Sequence, residues 1–415
     1  GRFFIDFHLP SSARHGRQTA CCRHQYISTQ KEREKERKKE RKKERKKERK
    51  KERKKIEPSN IRTLFSAASE FSKMNATKTI SVCIVNAGRL DFDKTLNLNS
   101  ISLALGLQPN SNASEKNSLT KYDDSSPNAQ EVAKRSIGHE VIVTKEIEID
   151  IDLLPDSVKL ICEAGTGFNN IDTKKARERG IMVTNVPEYS TEAMSHLVIT
   201  SILNASASIV KQMKMLERGE REHFQNLSGF PHFELEGKVV GLIGGNGTIG
   251  RRVCELLKAF KMQPYVYARS ARTKTELYDV FDSLEDLLER SDFVSIHCPL
   301  NDSTRNILNY DKLKLMKPTA YLINTARGAI CKEDDLIRIL REKKIAGAWL
   351  DVQAQEPPAE SSLLWNPNNI FDDNLTLTPH IGWKRKETRQ RLIDSVAERI
   401  KEFVEGCEVS EVVSR

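Results

Sequence analysis

The sequence contains no stretch of about 18 uninterrupted apolar residues, so nothing in it reads as a membrane span. The nearest approach, residues 193–210, is broken by His196, Asn204 and several serines. No CxxC pair and no metal-ligand spacing occurs, which removes the usual zinc and iron–sulfur readings. Eight cysteines are scattered along the chain, and Cys21 and Cys22 lie too close in sequence for an ordinary bridge. Free, mostly buried thiols in a reducing compartment are the expectation, and with them a cytoplasmic setting. The hydrophobic share, 38%, is low for 415 residues that should fill two domain cores.

That deficit is local. Residues 31–55 carry 18 basic and 7 acidic side chains, a net +11 against +10 for the whole chain, so the remainder is close to neutral. The tract repeats KKER with period 4, which stacks like charges on one helical face with glutamates three and four residues away. Two readings stand: an arm for nucleic acid, membrane or an acidic partner, and a solvated tract without a partner. The second is favoured, because charge blocks are usually solvated tails. Residues 1–78 are therefore expected to be a low-complexity basic extension, disordered, with nucleic acid not a partner. Met74 just before the first strand-like run also suggests a gene-model extension, and the Arg- and Ser-bearing residues 1–30 faintly suggest organelle targeting.

From residue 79 short apolar runs alternate with amphipathic stretches. Residues 79–87, 139–145, 158–164, 238–244, 264–268, 293–298, 320–325, 346–352 and 375–380 read as strands. Residues 173–180 read as a helix closed by Gly180, residues 106–127 as a loop, and residues 191–219 as one long helix capped by Ser190 or Thr191. Ile249, Val253, Leu256, Leu257 and Phe260 share a face of a helix, as do Leu392, Ile393, Val396, Ile400 and Phe403 of a final helix stopped by Gly406. Strands alternating with helices predict βαβ units in a doubly wound parallel sheet.

Three groups of residues carry chemistry. Gly245-Asn246-Gly247-Thr248-Ile249-Gly250 follows a buried strand and opens a helix, the context in which GxGxxG binds a dinucleotide. Gly245 is expected to make the tight turn, Gly247 to let backbone N–H groups reach a pyrophosphate, and Gly250 to allow close helix–strand packing. At the end of the next strand an acid would accept the adenosine ribose hydroxyls. The sequence has none there; it has Ala268, Arg269, Ser270 and Arg272, which predicts NADP in preference to NAD. The third group, Arg327, Asp351, Glu356 and His380, lies at or just beyond strand ends on the edge that also carries the glycine loop. Reduction of a 2-keto acid needs a cation for its carboxylate, a general acid for its carbonyl oxygen and a carboxylate to orient that acid. Arg327, His380 and Glu356 supply these in turn.

The motifs NTARG, LDV followed by EPP, TPHIGW, AGTGFNNID (164–172) and NVPEYST (185–191) resemble the D-isomer-specific 2-hydroxyacid dehydrogenases over residues 79–405. The resemblance implies an α/β protein with two doubly wound domains, a Rossmann-type nucleotide domain (185–382) inserted in a flavodoxin-like substrate domain (79–184 with 383–415). It implies Arg327, Glu356 and His380 as the catalytic trio. Asp351 would lie at the nicotinamide carboxamide, and the amides of Gly165, Thr166 and Gly167 at the substrate carboxylate. Cys298, Pro299 and Thr304 would lie near the adenosine, and the helix from residue 191 would belong to a homodimer. The chain departs from the family in the GGNG turn, one residue longer than the commoner GLG form, and in the missing ribose-binding acid. The latter is similar to NADP-preferring glyoxylate and hydroxypyruvate reductases, and Trp383 points the same way, although a packed Trp is an equal reading. A dinucleotide-sensing, corepressor-like protein and a formate-oxidising enzyme are the alternatives; the intact trio favours catalysis on a small 2-keto acid.

Overall fold

The computed structural model describes residues 79–107, 117–221, 224, 230–270, 273–364 and 374–413. The basic tract lies outside them.

Two parallel sheets organise the chain. The first has five strands, β1 (Ser81–Ile84), β2 (Ser118–Lys121), β3 (Val141–Thr144), β4 (Leu160–Glu163) and β5 (Met182–Thr184), in the order β2-β1-β3-β4-β5. The second has seven: β6 (Val239–Ile243), β7 (Gln263–Tyr267), β8 (Asp279–Val280), β9 (Phe293–Ile296), β10 (Tyr321–Asn324), β11 (Gly347–Leu350) and β12 (Leu375–Leu377). Their order is β12-β11-β10-β9-β6-β7-β8. Every named pairing is parallel, and in both sheets the order reverses beside the first strand, at β1 and at β6. That reversal is the topological switch point at which open α/β sheets leave a crevice beyond their strand carboxyl ends.

Burial on both faces explains the continuous apolar runs. In β1, Val82 and Ile84 join one core cluster while Cys83, and Val85 just beyond it, join another across the sheet. The helix Lys386–Val404 follows the second sheet in sequence but buries Leu392, Ile393, Val396 and Ile400 against the first. Each such side chain contributes about 1.5–3 kcal/mol when fully buried. Arg389 on this helix is 1% exposed. Its guanidinium meets both Asp93 oxygens and donates to the Leu90 carbonyl, anchoring the C-terminal helix to the first lobe. Residues beyond the helix continue the tie, Val412 bridging Thr184 in antiparallel fashion.

Several expectations need correction. The predicted 106–127 loop contains β2, a polar edge strand paired only with β1. Its Ser-Leu-Thr-Lys composition has no apolar face to read, because an edge strand is covered on one side only. β5 and β8 are too short to give a periodic signal. The long helix from residue 191 is two, Thr191–Ala207 and Ile209–Glu217, bent by 63° at Ser208. Ser208 adopts a left-handed φ of 52°, and the Asn204 side chain takes the N–H of Val210 out of the helical ladder. Ser190 is the N-cap residue, but its hydroxyl makes no capping bond. Phe260, grouped with Ile249, Val253, Leu256 and Leu257 on one helical face, lies past the helix end as its C-cap and is 38% exposed. No single described helix is long and apolar enough to cross a membrane; only the bent pair passes that test together, and ten residues of Thr191–Ala207 are buried in the fold.

Candidate active site

The glycine turn is built differently from the sequence expectation. Gly244, with φ +79°, makes the tight turn expected of Gly245, and a Cβ on Gly244 would lie 2.7 Å from the backbone nitrogen of Cys298. Gly245 and Gly250 instead press against each other, so that a Cβ on Gly250 would run into the Gly245 backbone. The additional residue of the GGNG turn thus separates the two duties, one glycine turning and the next packing. A Cβ on Gly247 would meet nothing closer than 3.7 Å, which leaves that side of the turn open. Gly247 is the N-cap of the helix Thr248–Ala259, and no side chain caps the helix. Its first-turn N–H groups and positive dipole end therefore face the opening, a cradle that fits a pyrophosphate. One carboxylate lies close by: Glu188, itself at a left-handed φ of 66°, accepts a 2.7 Å hydrogen bond from the Thr248 hydroxyl.

At the carboxyl end of β7, Arg269 and Ser270 are exposed, and Asn246 of the glycine turn donates to the Ser270 hydroxyl at 2.7 Å. Arg272 lies outside the described residues. Cys298 follows β9 and packs on Gly244, and burial pushes its thiol up to about 11. In the next turn the Thr304 hydroxyl donates to the Pro299 carbonyl at 2.7 Å.

His380 lies just past β12 with a left-handed φ of 48°, a conformation uncommon for a non-glycine residue and held here by its neighbours. Asp351, at the end of β11 and 1% exposed, does the holding. Its carboxylate accepts the N–H groups of Ile381 and Gly382, both at 2.9 Å, and the Thr378 hydroxyl at 2.6 Å, while its carbonyl takes the N–H of His380. Burial raises the Asp351 carboxyl above its ordinary range, against the opposing pull of these donors. His380 Nδ1 sits 2.6 Å from Glu356 Oε2, and Glu356 Oε1 accepts the N–H of Gln353 at 2.8 Å. Burial alone would raise the Glu356 carboxyl, but the imidazole beside it brings it below the usual range, so it is ionised near neutrality.

Arg327 follows β10. Its guanidinium donates to the Ala326 carbonyl at 2.7 Å and lies so close to Gly167 that a Cβ there would overlap Nη2. Gly165, Thr166 and Gly167 form the turn after β4. Asn185 donates to the Thr166 carbonyl at 2.7 Å and Val186 N–H to the Gly165 carbonyl at 2.9 Å, fixing the turn. Among the described residues no acceptor takes the N–H groups of Thr166 or Gly167. Two backbone donors and a guanidinium thus converge on one small volume, the chemistry of a carboxylate site.

Sequence reasoning missed the residues that complete the other wall. Lys145 and Glu146 directly follow β3, and Glu163 ends β4. Lys145 is fully buried, with Nζ 2.5 Å from Glu146 Oε1 and 4.2 Å from the centre of the Trp383 ring. A Cβ on Gly165 would lie 3.2 Å from both that Nζ and Glu163 Oε1, so the ammonium lies beneath the Gly165–Gly167 turn. Trp383 is 4% exposed and packed in the core, where it covers the ammonium. Glu146 Oε1 lies 4.0 Å from His380 Nε2. Close approaches therefore run in series from Arg327 past Gly167, Gly165, Lys145 and Glu146 to His380 and Glu356. The available signal was position: Lys145 and Glu146 stand at a strand's carboxyl end, as the recognised residues of the second sheet do.

The comparisons with known proteins bear on the family and the fold. The family model described as D-isomer specific 2-hydroxyacid dehydrogenase, NAD binding domain, matches residues 199–382. A glyoxylate reductase of Aeropyrum pernix is 38% identical over 279 residues, 64% of this chain and 80% of the relative. A glycerate dehydrogenase of Methylorubrum extorquens is 31% identical over 287 residues, 67% of this chain and 86% of the relative. Among solved structures, the TT0316 protein from Thermus thermophilus superposes with a TM-score of 0.67 at 29% identity, over 80% of this chain and all of the other. With the two sheets, the dinucleotide cradle and the Arg–His–Glu cleft in place, these likenesses identify the chain as a member of the D-isomer specific 2-hydroxyacid dehydrogenases.

Proposed function

We propose that this chain reduces glyoxylate or hydroxypyruvate with NADPH, within the activity of its family. That activity is hydride transfer between NAD(P)H and a small 2-keto or 2-hydroxy acid. The observation that carries the catalytic assignment is the 2.6 Å contact between Glu356 and His380 Nδ1, which leaves Nε2 to face the cleft.

The open Gly247 side of the turn and the first-turn N–H groups would hold a dinucleotide, which would supply the hydride. The protein's own groups do the rest. Arg327 and the amides of Thr166 and Gly167 hold the substrate carboxylate and so fix the orientation of the carbonyl group. His380 Nε2 gives its proton to the carbonyl oxygen as the negative charge develops there. Glu356 holds the tautomer with a proton on Nδ1 and offsets the imidazolium charge before transfer. Asp351 keeps His380 in its left-handed turn, and its Oδ2 retains one lone pair that would accept from the nicotinamide carboxamide. Cys298, Pro299 and Thr304 border the adenosine end. The preference for NADPH rests on Arg269, Ser270 and Arg272 standing where an acid would repel a 2′-phosphate.

We assign 79–184 with 383–415 to the substrate lobe and 185–382 to the nucleotide lobe, supported by the sheet partition and by the packing of helix Lys386–Val404 on the first sheet. A homodimer through the helices from residue 191 is supported by the exposed Leu203, Ile209, Met213 and Leu216 on those helices. A sensor without catalysis has no support among relatives named as enzymes.

The test is NADPH and NADH oxidation with glyoxylate, hydroxypyruvate and pyruvate. Arg327→Ala and His380→Ala should each lower kcat/KM by about 10²–10⁴-fold on every substrate. Parent-like turnover by both variants would remove the assigned roles, and a clear preference for NADH would remove the cofactor assignment.

A further inference from the structure

Glu146 stands where no role in proton or hydride transfer requires a carboxylate. It lies just past β3 at a left-handed φ of 53° and is partly exposed to the cleft. Its N–H is taken by Glu163 Oε1 at 3.1 Å, which fixes this backbone conformation from the neighbouring strand end. Oε1 receives Lys145 Nζ at 2.5 Å and Oε2 receives Arg89 at 3.3 Å. Each carboxylate oxygen has two lone pairs, so each retains one acceptor site. Burial would raise this carboxyl, but Lys145, His380 and Arg89 hold it down to about 2, so it acts as a pure acceptor at neutral pH.

The 4.0 Å gap between Glu146 Oε1 and His380 Nε2 exceeds a hydrogen bond. The imidazole must address the substrate carbonyl oxygen at about 2.8 Å, which brings the substrate carbon chain past Glu146. A substituent on the carbon next to the carbonyl then falls within reach of Oε1. A methyl there would cover a carboxylate oxygen and strip it of water with nothing in return. A hydroxyl would donate to it.

Building on the catalytic reading above, we propose that Glu146 is the specificity-determining residue. It accepts a hydrogen bond from a hydroxyl on C3 of the keto acid, so that the site is made for 3-hydroxy-2-keto acids in preference to their deoxy analogues. Charge argues for a neutral donor over a cationic one. Lys145 and Arg89 already flank the carboxylate, and an ammonium or guanidinium on the substrate would meet two like charges. A hydroxyl needs only the spare lone pair.

The test is a cycle of substrate against residue: hydroxypyruvate, pyruvate and a keto acid with a guanidinium-bearing side chain, on the parent, Glu146→Gln and Glu146→Ala. The parent should favour hydroxypyruvate over pyruvate by at least about tenfold in kcat/KM. That ratio should fall at least about tenfold in Glu146→Ala and less in Glu146→Gln, whose amide oxygen still accepts. A role confined to packing Lys145 would lower both substrates together and leave the ratio unmoved, which overturns the proposal. Preference for the guanidinium acid overturns it as well. Should neither variant fold, as judged by thermal melting, the parent decides: no preference for hydroxypyruvate sinks the inference. Failure of the parent to oxidise NADPH with any of the three acids strikes the catalytic reading itself and is thereby distinguished.

Discussion

His380 is useful only because three neighbours constrain it. The left-handed backbone aims the ring, Asp351 pins the turn, and Glu356 accepts the hydrogen bond from Nδ1–H. Glu356→Gln keeps an oxygen that can accept from Nδ1 but removes the charge that stabilises the imidazolium. The expected result is a fall in kcat of about tenfold to a hundredfold with KM little changed, because the loss is felt as the proton moves. Steady-state kinetics from about pH 5 to 9 check this, and parent-like kcat throughout that range would count against an orienting role for Glu356. Arg327, Glu356 and His380 stood out as candidates because the runs before them read as strands, whose carboxyl ends they follow. Glu146 was not, since KEIEID reads as an ordinary polar loop until the fold brings β3 opposite β12. Of the two readings open for Trp383, the structure shows the packed one: it is a core residue that covers a buried ammonium.

At the scale of elements, the glycine loop shows what spacing can and cannot convey. GxGxxG after a buried strand located the dinucleotide cradle, yet the turning residue is Gly244, outside the motif. Gly250 packs against Gly245 with no room for a methyl group, and the obstacle is backbone, which cannot rotate aside. Gly250→Ala should therefore push the helix Thr248–Ala259 away from β6 and misplace its first-turn N–H groups. Dinucleotide affinity should drop at least about tenfold by fluorescence titration, with a lower melting temperature. Unchanged affinity would mean that the helix end is not the pyrophosphate site. The elements hidden from the sequence share a physical cause. β2 is an edge strand with no apolar face, β8 has two residues, and the break at Ser208 lies in an Ala/Ser run without Gly or Pro. The buried strands of both sheets were plain because burial on both faces writes a continuous apolar run.

For the whole molecule, two titratable groups, the buried Glu163 and the half-buried His297, act on stability in opposite senses. Burial pushes the Glu163 carboxyl up from its ordinary 4.5 to about 7, outweighing Lys145 and the hydrogen bonds that pull it down. Between those values the folded protein holds a proton that the unfolded chain releases, so this group loses stability as pH rises from 4.5 to about 7. His297 follows β9 with its Nε2 2.8 Å from the Ser295 hydroxyl, and burial lowers it from 6.5 to about 4. Here the unfolded chain takes a proton that the fold refuses, so stability is lost as pH falls from 6.5 towards about 4. Over pH 4.5–6.5 the two slopes oppose and nearly cancel, each being up to about 1.4 kcal/mol per pH unit. Relative to the parent, His297→Gln should expose the Glu163 slope and become progressively less stable as pH rises through this window. Glu163→Gln should expose the other and become progressively less stable as pH falls. Urea unfolding at roughly half-unit steps from about pH 4.5 to 7 reads both slopes as differences from the parent, which removes the contribution of all other groups. Two variants whose curves run parallel to the parent's would show that neither side chain changes its protonation on folding. Opposite divergence would show that the two lobes, one carrying each group, balance one another's proton uptake across the mildly acidic range.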